Sequence, residues 1–268
     1  MDRTTLPHTL DRTVTIHAPL DAVFRFFTDS TRWARWWGTG STIDARPGGA
    51  VCIRHPGGIE SAGEVLEIDS PRRLVFTYGF VSGTPIPAGS SRVTIVLMPV
   101  PGGTQLTLTH ELPDAAVRDE HVQGWRFQLS LFANVVSDEV NANAARYVDL
   151  WFDAWAEPDA IARQRMLAEI AVPEIRMQDR FSNLNGMDDL LPHIAAAQRF
   201  MPGMRMRRAG DVRHCQGMLL ADWTMTGLDG QPRGAGTNVF VLAPSGRIEW
   251  VTGFVSGLPA ASPDSARG

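Results

Sequence analysis

The sequence contains no lysine: all 25 of its lysine-plus-arginine positions are arginine. Schiff-base and pyridoxal chemistry requires a lysine amine, as does the phosphate-binding loop of nucleotide hydrolases, so these classes are excluded. Cysteine is also scarce. Cys52 and Cys215 are too few and too far apart for a disulfide framework or a zinc cluster of the usual spacing. This scarcity indicates a reducing compartment, and we expect the protein to be cytoplasmic.

Long apolar runs are missing as well. No segment approaches the roughly 18 apolar residues of a membrane span, and the first residues lack the apolar core of a secretory signal. The 268 residues are 44% hydrophobic and 20% charged, which is typical of a globular protein long enough for two domains. A formal net charge of -4 gives no attraction to phosphates, so we expect neither nucleic acid nor membrane as a partner.

The order of predicted elements divides the chain near residue 141. Residues before it alternate like antiparallel strands and end in a helix from about 118 to 137, with Trp125, Leu129 and Phe132 on one face. Residues after it begin with helices and continue with strands. We therefore predict domains at 1–140 and 141–257. The tail 258–268, rich in Pro, Ala and Ser, is expected to be disordered.

The first half resembles the activator-of-Hsp90-ATPase-like (AHSA1) branch of the START/Bet v 1 superfamily. The residues that carry this resemblance are His17-Ala18-Pro19, Trp33, Trp36-Trp37, Pro47-Gly48-Gly49, Gly63 to Ile68 and Gly124-Trp125. The resemblance implies a helix-grip fold, in which a curved sheet closes over a long C-terminal helix around a small-molecule cavity. Members of this superfamily include binding proteins, cyclases and co-chaperones, so the fold alone does not set the function.

The second half resembles the SnoaL-like polyketide cyclase and ketosteroid isomerase group of the NTF2-like superfamily. The residues that carry this resemblance are Trp155 to Asp159, Asp179, Gly186, Pro202-Gly203, Trp223, Gly236 to Asn238 and Gly246 to Ile248. It implies a cone-shaped α+β barrel with a pocket at its wide end, and it makes a homodimer through this domain a plausible partner. The expected fold class is thus α+β: a helix-grip domain followed by an NTF2-like domain.

The second resemblance also implies catalytic positions. In the isomerases a carboxylate base works with a tyrosine and a protonated aspartate. Asp179 stands at the base position, Asn238 replaces the aspartate, and Trp151 replaces the tyrosine. Alternation with Ile175, Met177 and Phe181 points Asp179 into an apolar pocket, which would make it a stronger proton acceptor. The alternatives are a strand-end carboxylate paired with a neighbouring arginine, and a buried Asn238 satisfied by its neighbours.

Aromatic residues supply the expected ligand contacts in both halves. Those of the second half are Trp151, Trp155, Trp223 and Trp250, the last on a predicted strand face with Ile248; those of the first are Tyr78, His110 and Trp125. Packing in the core is the alternative for all of them. The histidines show no metal-binding spacing, and neither a Gly-x-Ser-x-Gly nor a nucleotide-binding glycine motif occurs. We therefore expect no metal and no cofactor.

These observations favour a protein that binds a small hydrophobic or polycyclic molecule and transforms it without a cofactor. The reaction would be that of a cyclase, isomerase or hydratase of polyketide-like substrates, with Asp179 as base and Asn238 as oxygen stabiliser. The alternative is a non-catalytic ligand-binding module or an Hsp90-activator-like co-chaperone. The sequence leaves open which of these applies and which of the two cavities works.

Overall fold

The computed structural model describes residues 6–256, and the chain divides between Val140 and Asn141 into two compact units. The tail expected to be disordered, 258–268, lies outside the described residues. None of the helices in the described part is both long enough and apolar enough to cross a membrane.

The first unit is a seven-stranded antiparallel sheet with three helices. Its strands are ordered β1-β7-β6-β5-β4-β3-β2, with the labels in chain order. The elements are β1 (His8–Ile16), α1 (Leu20–Arg25), α2 (Ser30–Trp37), β2 (Thr42–Ile43), β3 (Ala50–Arg54), β4 (Glu60–Asp69), β5 (Arg73–Tyr78), β6 (Ser91–Val100), β7 (Gly103–Leu112) and α3 (Ala115–Val140).

The core of the first unit lies between one face of this sheet and helix α3. Alternate residues of β6 and β7 are buried, among them Ile95 and Leu108, as expected for a sheet with one covered face. Trp125, Leu129 and Phe132 lie on the buried face of α3. The aromatic residues of α2 join the same core, and Trp36 and Phe132 lie with their ring centroids 4.8 Å apart. This is the helix-grip arrangement that the sequence predicted.

The second unit combines three helices with a six-stranded sheet, ordered β10-β11-β12-β13-β8-β9. Its neighbouring strands run antiparallel except for β13 and β8, which are parallel. The elements are α4 (Ala144–Ala156), α5 (Ala160–Ile170), β8 (Ala171–Gln178), β9 (Asn183–Asn185), α6 (Met187–Phe200), β10 (Arg205–Cys215), β11 (Met218–Thr226), β12 (Pro232–Leu242) and β13 (Ile248–Ser256).

The fold class is the predicted one, an α+β helix-grip domain followed by an α+β domain of the NTF2-like type. The sheet of the second unit is open, because in residues 6–256 its edge strands β10 and β9 do not pair with each other. Its core consists of apolar side chains from the helices and the inner sheet face, including Trp151, Ile194 and Phe240.

Two details of strand alternation were predicted wrongly. Strand β8 ends at Gln178, and the next residues form a turn, so Phe181 is 74% exposed instead of continuing the apolar face. In β13 the pairing register shifts, since Val241 faces Trp250 while Leu242 faces Ile248. The extra residue of this bulge turns Trp250 to the face opposite Ile248.

Candidate functional site

Asp179 and Asn238 lie on either side of Gly253. Asn238 in β12 is paired with Gly253 in β13, and Asp179 directly follows the neighbouring strand β8. A β-carbon added to Gly253 would lie 3.3 Å from Asn238 Oδ1 and 3.3 Å from Asp179 Cβ. The side chains of Asp179 and Asn238 are therefore separated by no more than the space that the missing side chain of residue 253 would occupy.

The turn after β8 fixes the Asp179 carboxylate. Its Oδ1 accepts hydrogen bonds from the backbone N–H of Phe181 and the hydroxyl of Ser182, both at 2.7 Å. The backbone N–H of Asp179 donates to the Ser182 carbonyl at 2.9 Å. In the described part of the chain no donor is bonded to Oδ2. The half-buried carboxylate thus has one oxygen held in place and one available.

An open cleft of about 480 Å³ lies beside Asp179 at the ends of β8 and β13. Its lining combines polar residues such as Ser182 and Thr252 with the exposed apolar side chains of Phe254 and Val255. Gly253 lines the cleft, whereas Asn238 lies behind it on the buried face of β12. The Asn238 atom closest to the open space at Gly253 is the amide oxygen Oδ1, and the NH2 group is bonded to the same amide carbon.

The indole of Trp223 sets the orientation of the Asn238 amide. Trp223 Nε1 donates to Asn238 Oδ1 at 2.9 Å, and the two residues are only 7% and 6% exposed. Because an indole N–H can only donate, the amide oxygen must face Trp223 and the NH2 group must face away. No acceptor for that NH2 group is found within residues 6–256. Asn238 therefore holds an oriented donor that none of the described residues accepts from.

The other predicted tryptophans are placed differently. Trp151 is buried and packs edge-on against Phe240, so it belongs to the core. Trp155 packs on that core and contacts the ring of His193. Trp250 lies on the opposite face of the sheet, 5.5 Å below the guanidinium of Arg176, and the expectation that it lines the inner pocket is wrong because of the bulge in β13. The structure thus groups Trp223, and not Trp250, with Asp179 and Asn238.

In the first unit His110 is completely buried and fully hydrogen-bonded. Trp125 Nε1 donates to His110 Nδ1 at 3.0 Å, and His110 Nε2 lies 2.8 Å from the Ser91 hydroxyl, which itself donates to the Tyr78 carbonyl. His110 Nε2 must therefore be the donor to Ser91, and the ring is neutral. Burial, together with the nearby charge of His121, lowers the pKa of His110 to about 3. His110 and Trp125 hold each other in place.

Six rings of the first unit form a closed circuit, which we call the aromatic belt. Each ring contacts the next with centroids 5.2–6.1 Å apart, in the order Trp37, His55, Phe80, His121, His110, Trp125 and back to Trp37. Tyr78 contacts three of these rings. The belt thus contains two of the three predicted first-cavity residues, His110 and Trp125, and the third, Tyr78, packs against it.

A chain of hydrogen bonds runs along the sheet side of the belt. His55 Nε2 lies 2.9 Å from the Ser61 hydroxyl, and this hydroxyl donates to Tyr78 Oη at 3.2 Å. Burial raises the pKa of the Tyr78 phenol to about 12 and, with a smaller contribution from His121, lowers the pKa of His55. Tyr78 is therefore a neutral hydrogen-bond donor at neutral pH.

Comparison with known families supports the description of the first half. Residues 17–137 match the family model described as Activator of Hsp90 ATPase homolog 1-like protein. The N-terminal half resembles this family. For the second half, which the sequence likened to the SnoaL-like group, a SnoaL-like family protein is among the similar solved structures. No curated protein matches the chain.

Solved structures similar to the chain cover roughly half of it. A SnoaL-like family protein from Agrobacterium tumefaciens is 27% identical, with a TM-score of 0.41, over 42% of this chain and 96% of that one. Protein CV1439 from Chromobacterium violaceum is 29% identical, with a TM-score of 0.41, and the match covers 47% of this chain and 95% of that one. The Aha1 dimer from Colwellia psychrerythraea is 16% identical, with a TM-score of 0.40, and the match covers 46% of this chain and 92% of that one.

Four residues of the aromatic belt were not predicted as site residues from the sequence, namely Trp37, His55, Phe80 and His121. A signal for His121 was present, because it precedes Trp125 by four residues on α3 and therefore shares its helix face. The contribution of His55 depends on the pairing of β3 with β4, which brings it near Ser61. Within residues 6–256 no three His, Cys, Asp or Glu side chains are placed to hold a metal ion.

The depressed pKa of His110 makes the stability of the AHSA1-like half dependent on pH. The pKa falls from its ordinary 6.5 to about 3 on folding, so between these values the unfolded chain binds one more proton. The contribution of His110 to the free energy of unfolding is complete above pH 6.5. It decreases by about 1.4 kcal/mol per pH unit as the pH falls towards 3.

Urea unfolding of the unmodified chain and of the His110→Gln variant, each at pH 7 and pH 5, measures this effect. Glutamine also accepts from Trp125 and donates to Ser91, but it does not titrate. The unmodified chain should lose more stability than the variant over this interval. Equal losses would show that His110 titrates normally in the folded state.

Proposed function

We propose that the second unit binds a small carbonyl compound and transfers a proton at the carbon beside the carbonyl, without a cofactor. The observation that supports this most is that Asp179, in the turn after β8, and Asn238, in β12, meet at Gly253. One supplies a free carboxylate oxygen and the other an oriented amide donor. This pair of groups is what enolisation requires.

The proposed reaction uses the free carboxylate oxygen of Asp179 and the free NH2 group of Asn238. Asp179 Oδ2 takes the proton from the carbon, and the electron pair of that C–H bond moves towards the carbonyl oxygen. The NH2 group of Asn238 donates to this oxygen as negative charge develops on it. Return of the proton from Asp179 to a different carbon gives an isomer. Alternatively, the carbon that lost the proton attacks a second carbonyl of the same molecule, the π electrons of that carbonyl move to its oxygen, and Asp179 returns the proton to this oxygen as the ring closes. Trp223 acts as a positioning residue, because it holds the amide oxygen.

The cleft suits a substrate that has both apolar and polar surface. Phe254 and Val255 present apolar side chains at its rim, while Ser182 and Thr252 supply polar contacts beside Asp179. A ring system with one or two carbonyl oxygens would bury its apolar surface against the rim and place an oxygen over Gly253. This matches the polycyclic, polyketide-like substrate class expected from the sequence.

Exchange of the α-protons of 2-tetralone in D2O, followed by NMR, tests the proposal with a defined bicyclic ketone. The full chain should accelerate the exchange over buffer. Gly253→Ala should reduce this acceleration at least about tenfold, because the added methyl lies between Asp179 and Asn238 at 3.3 Å from each. Failure of the unmodified chain to accelerate the exchange would reject the proposal.

Gly124→Ala is the matched control for this experiment. The same methyl is added there, but on helix α3 of the first unit, where it meets no atom within 4 Å. Its exchange rate should equal that of the unmodified chain. If both alanine variants reduced the rate alike, the effect of Gly253→Ala could not be assigned to the space between Asp179 and Asn238.

The family match supports a second candidate function, activation of the Hsp90 ATPase by the first unit. This function requires that the chain raise the rate of ATP hydrolysis by purified Hsp90 and bind it in a pull-down. The acid–base proposal requires neither result, so the two candidates are separated by one ATPase assay.

A further inference from the structure

A second cleft, of about 240 Å³, lies in the second unit next to the cleft beside Asp179. The two clefts share Gln178 and Asn183 as lining residues. Trp250 and Arg176 line only the second cleft, on the sheet face opposite the core. The second cleft therefore has an aromatic ring and a cation of its own.

The pairing of three strands places the residues that line this cleft in two rows. Trp250 in β13, Arg176 in β8 and Asn185 in β9 are partners across the sheet. Gln178 in β8 and Asn183 in β9 form the next row, two residues further along each strand. Residues two apart on a strand share a face, so both rows lie on the same side of the sheet. Arg176 is thus placed between an aromatic side chain and an amide.

The indole of Trp250 positions the guanidinium of Arg176. The central carbon of the guanidinium lies over the indole, 5.5 Å from the ring centroid and within cation–π range. The N–H groups that point away from the ring remain available as donors. Within residues 6–256 they have no hydrogen-bond acceptor, and no carboxylate lies at ion-pair distance. Arg176 is therefore a positioned set of donors without an acceptor.

The amides beside Arg176 have unused donors as well. The side chains of Asn183 and Asn185 make no hydrogen bond with another residue in the described part of the chain. Gln178 Nε2 donates to the Thr252 hydroxyl at 3.3 Å, and an amide NH2 group has a second hydrogen to donate. Among the described residues that line the cleft, Arg176 alone is charged. The cleft thus combines one positive charge with neutral donors.

We propose that this second cleft binds a small organic carboxylate. The planar carboxylate matches the guanidinium of Arg176, which can donate two parallel hydrogen bonds to it. The NH2 groups of Asn183 and Asn185 can donate to its remaining lone pairs. A single guanidinium balances the charge of one carboxylate but only part of the charge of a phosphate. The group that carries the carboxylate would pack against Trp250. This site is independent of Asp179 and of the reaction proposed for it.

Titration of the full 15N-labelled chain with benzoate and with benzamide, followed by NMR, tests the assignment. Benzamide keeps the ring and the planar shape of benzoate but carries no charge. We expect benzoate to bind at least about tenfold more tightly, because its bonds to Arg176 are charge-assisted. Benzoate should also shift the indole N–H resonance of Trp250 and leave that of Trp151, a core residue, in place. Equal affinities, or no response of Trp250 to saturating benzoate, would overturn the proposal.

Phenylphosphonate determines which class of anion the cleft prefers. It carries the same ring as benzoate on a tetrahedral group with a larger negative charge. At equal pH and ionic strength it should bind no more tightly than benzoate, because the cleft supplies one guanidinium. Tighter binding of phenylphosphonate would contradict the assignment to a carboxylate.

Two arginine variants locate the binding. Arg176→Gln should weaken benzoate binding about tenfold, because it removes the charge and the paired donors. Arg180→Gln is the matched control: Arg180 is also exposed and lies over an aromatic ring, that of Phe181, but it lines the cleft beside Asp179. This control should leave the affinity unchanged. Unchanged affinity in Arg176→Gln, or a loss in Arg180→Gln as large, would place benzoate outside the second cleft and overturn the proposal.

Discussion

Replacement of Asp179 by asparagine is expected to slow the α-proton exchange of 2-tetralone by about 100- to 10,000-fold, the usual contribution of a general base. An asparagine at position 179 still offers an Oδ1 acceptor to the Phe181 N–H and the Ser182 hydroxyl, so the turn after β8 is kept. The neutral amide cannot accept the proton that Oδ2 is proposed to take. NMR of deuterium incorporation in D2O measures the rate directly.

Asp229→Asn supplies the matched control for Asp179→Asn. Asp229 is an exposed carboxylate of the second unit that pairs with Arg233 at its surface. Its replacement should leave the exchange rate at the level of the unmodified chain. An Asp179→Asn variant that exchanges 2-tetralone as fast as the unmodified chain would show that another group is the base.

Replacement of Phe132 by alanine is expected to lower the free energy of unfolding of the first unit by about 3–5 kcal/mol. Phe132 is fully buried on α3, and its ring contacts those of Phe26, Phe27 and Trp36. Truncation removes these contacts and leaves a cavity between the helix and the sheet. Urea unfolding followed by circular dichroism and tryptophan fluorescence measures the loss.

Phe127→Ala is the control that shows whether the loss expected for Phe132→Ala comes from its burial. Phe127 lies on the same helix but is 69% exposed. Phe127→Ala should change the free energy of unfolding by no more than about 0.5 kcal/mol, as is usual for surface substitutions. Similar losses for Phe127→Ala and Phe132→Ala would contradict the packing of α3 described above.

The periodic spacing of apolar residues predicted much of the fold, because this spacing shows which face of a helix or strand is buried. The three- and four-residue spacing of Trp125, Leu129 and Phe132 identified the buried face of α3. Alternation identified the covered faces of β6 and β7 in the same way. In both cases the pattern extends over enough residues to outweigh a local irregularity.

The alternation of apolar and polar residues gave wrong predictions where a strand ended or where its pairing register shifted. The end of β8 is set by the hydrogen bonds of Asp179 to Phe181 and Ser182, and a period-two pattern carries no information about them. The bulge near Glu249 depends on how β13 pairs with β12 and β8. One extra residue there moved Trp250 to the other face of the sheet.

The candidate site could be predicted only in part for a similar reason. Resemblance indicated Asp179 and Asn238, but the bond from Trp223 depends on Gly236, where a side chain would overlap the indole. The aromatic belt joins side chains from α2, β7 and α3 and from the loops after β3 and β5. Its members are adjacent only after the sheet has formed, so no pattern in the sequence links Trp37, His55 and His121.

A double-mutant cycle between Asp179 and Asn238 tests most directly whether the two residues act on one bound molecule. The rates of 2-tetralone exchange are compared for Asp179→Asn, Asn238→Ala and the combined variant. The account predicts that Asn238→Ala slows the unmodified chain but has little further effect once Asp179 is replaced, because no oxyanion then develops. Losses that simply multiply, or an Asn238→Ala rate equal to that of the unmodified chain, would contradict it.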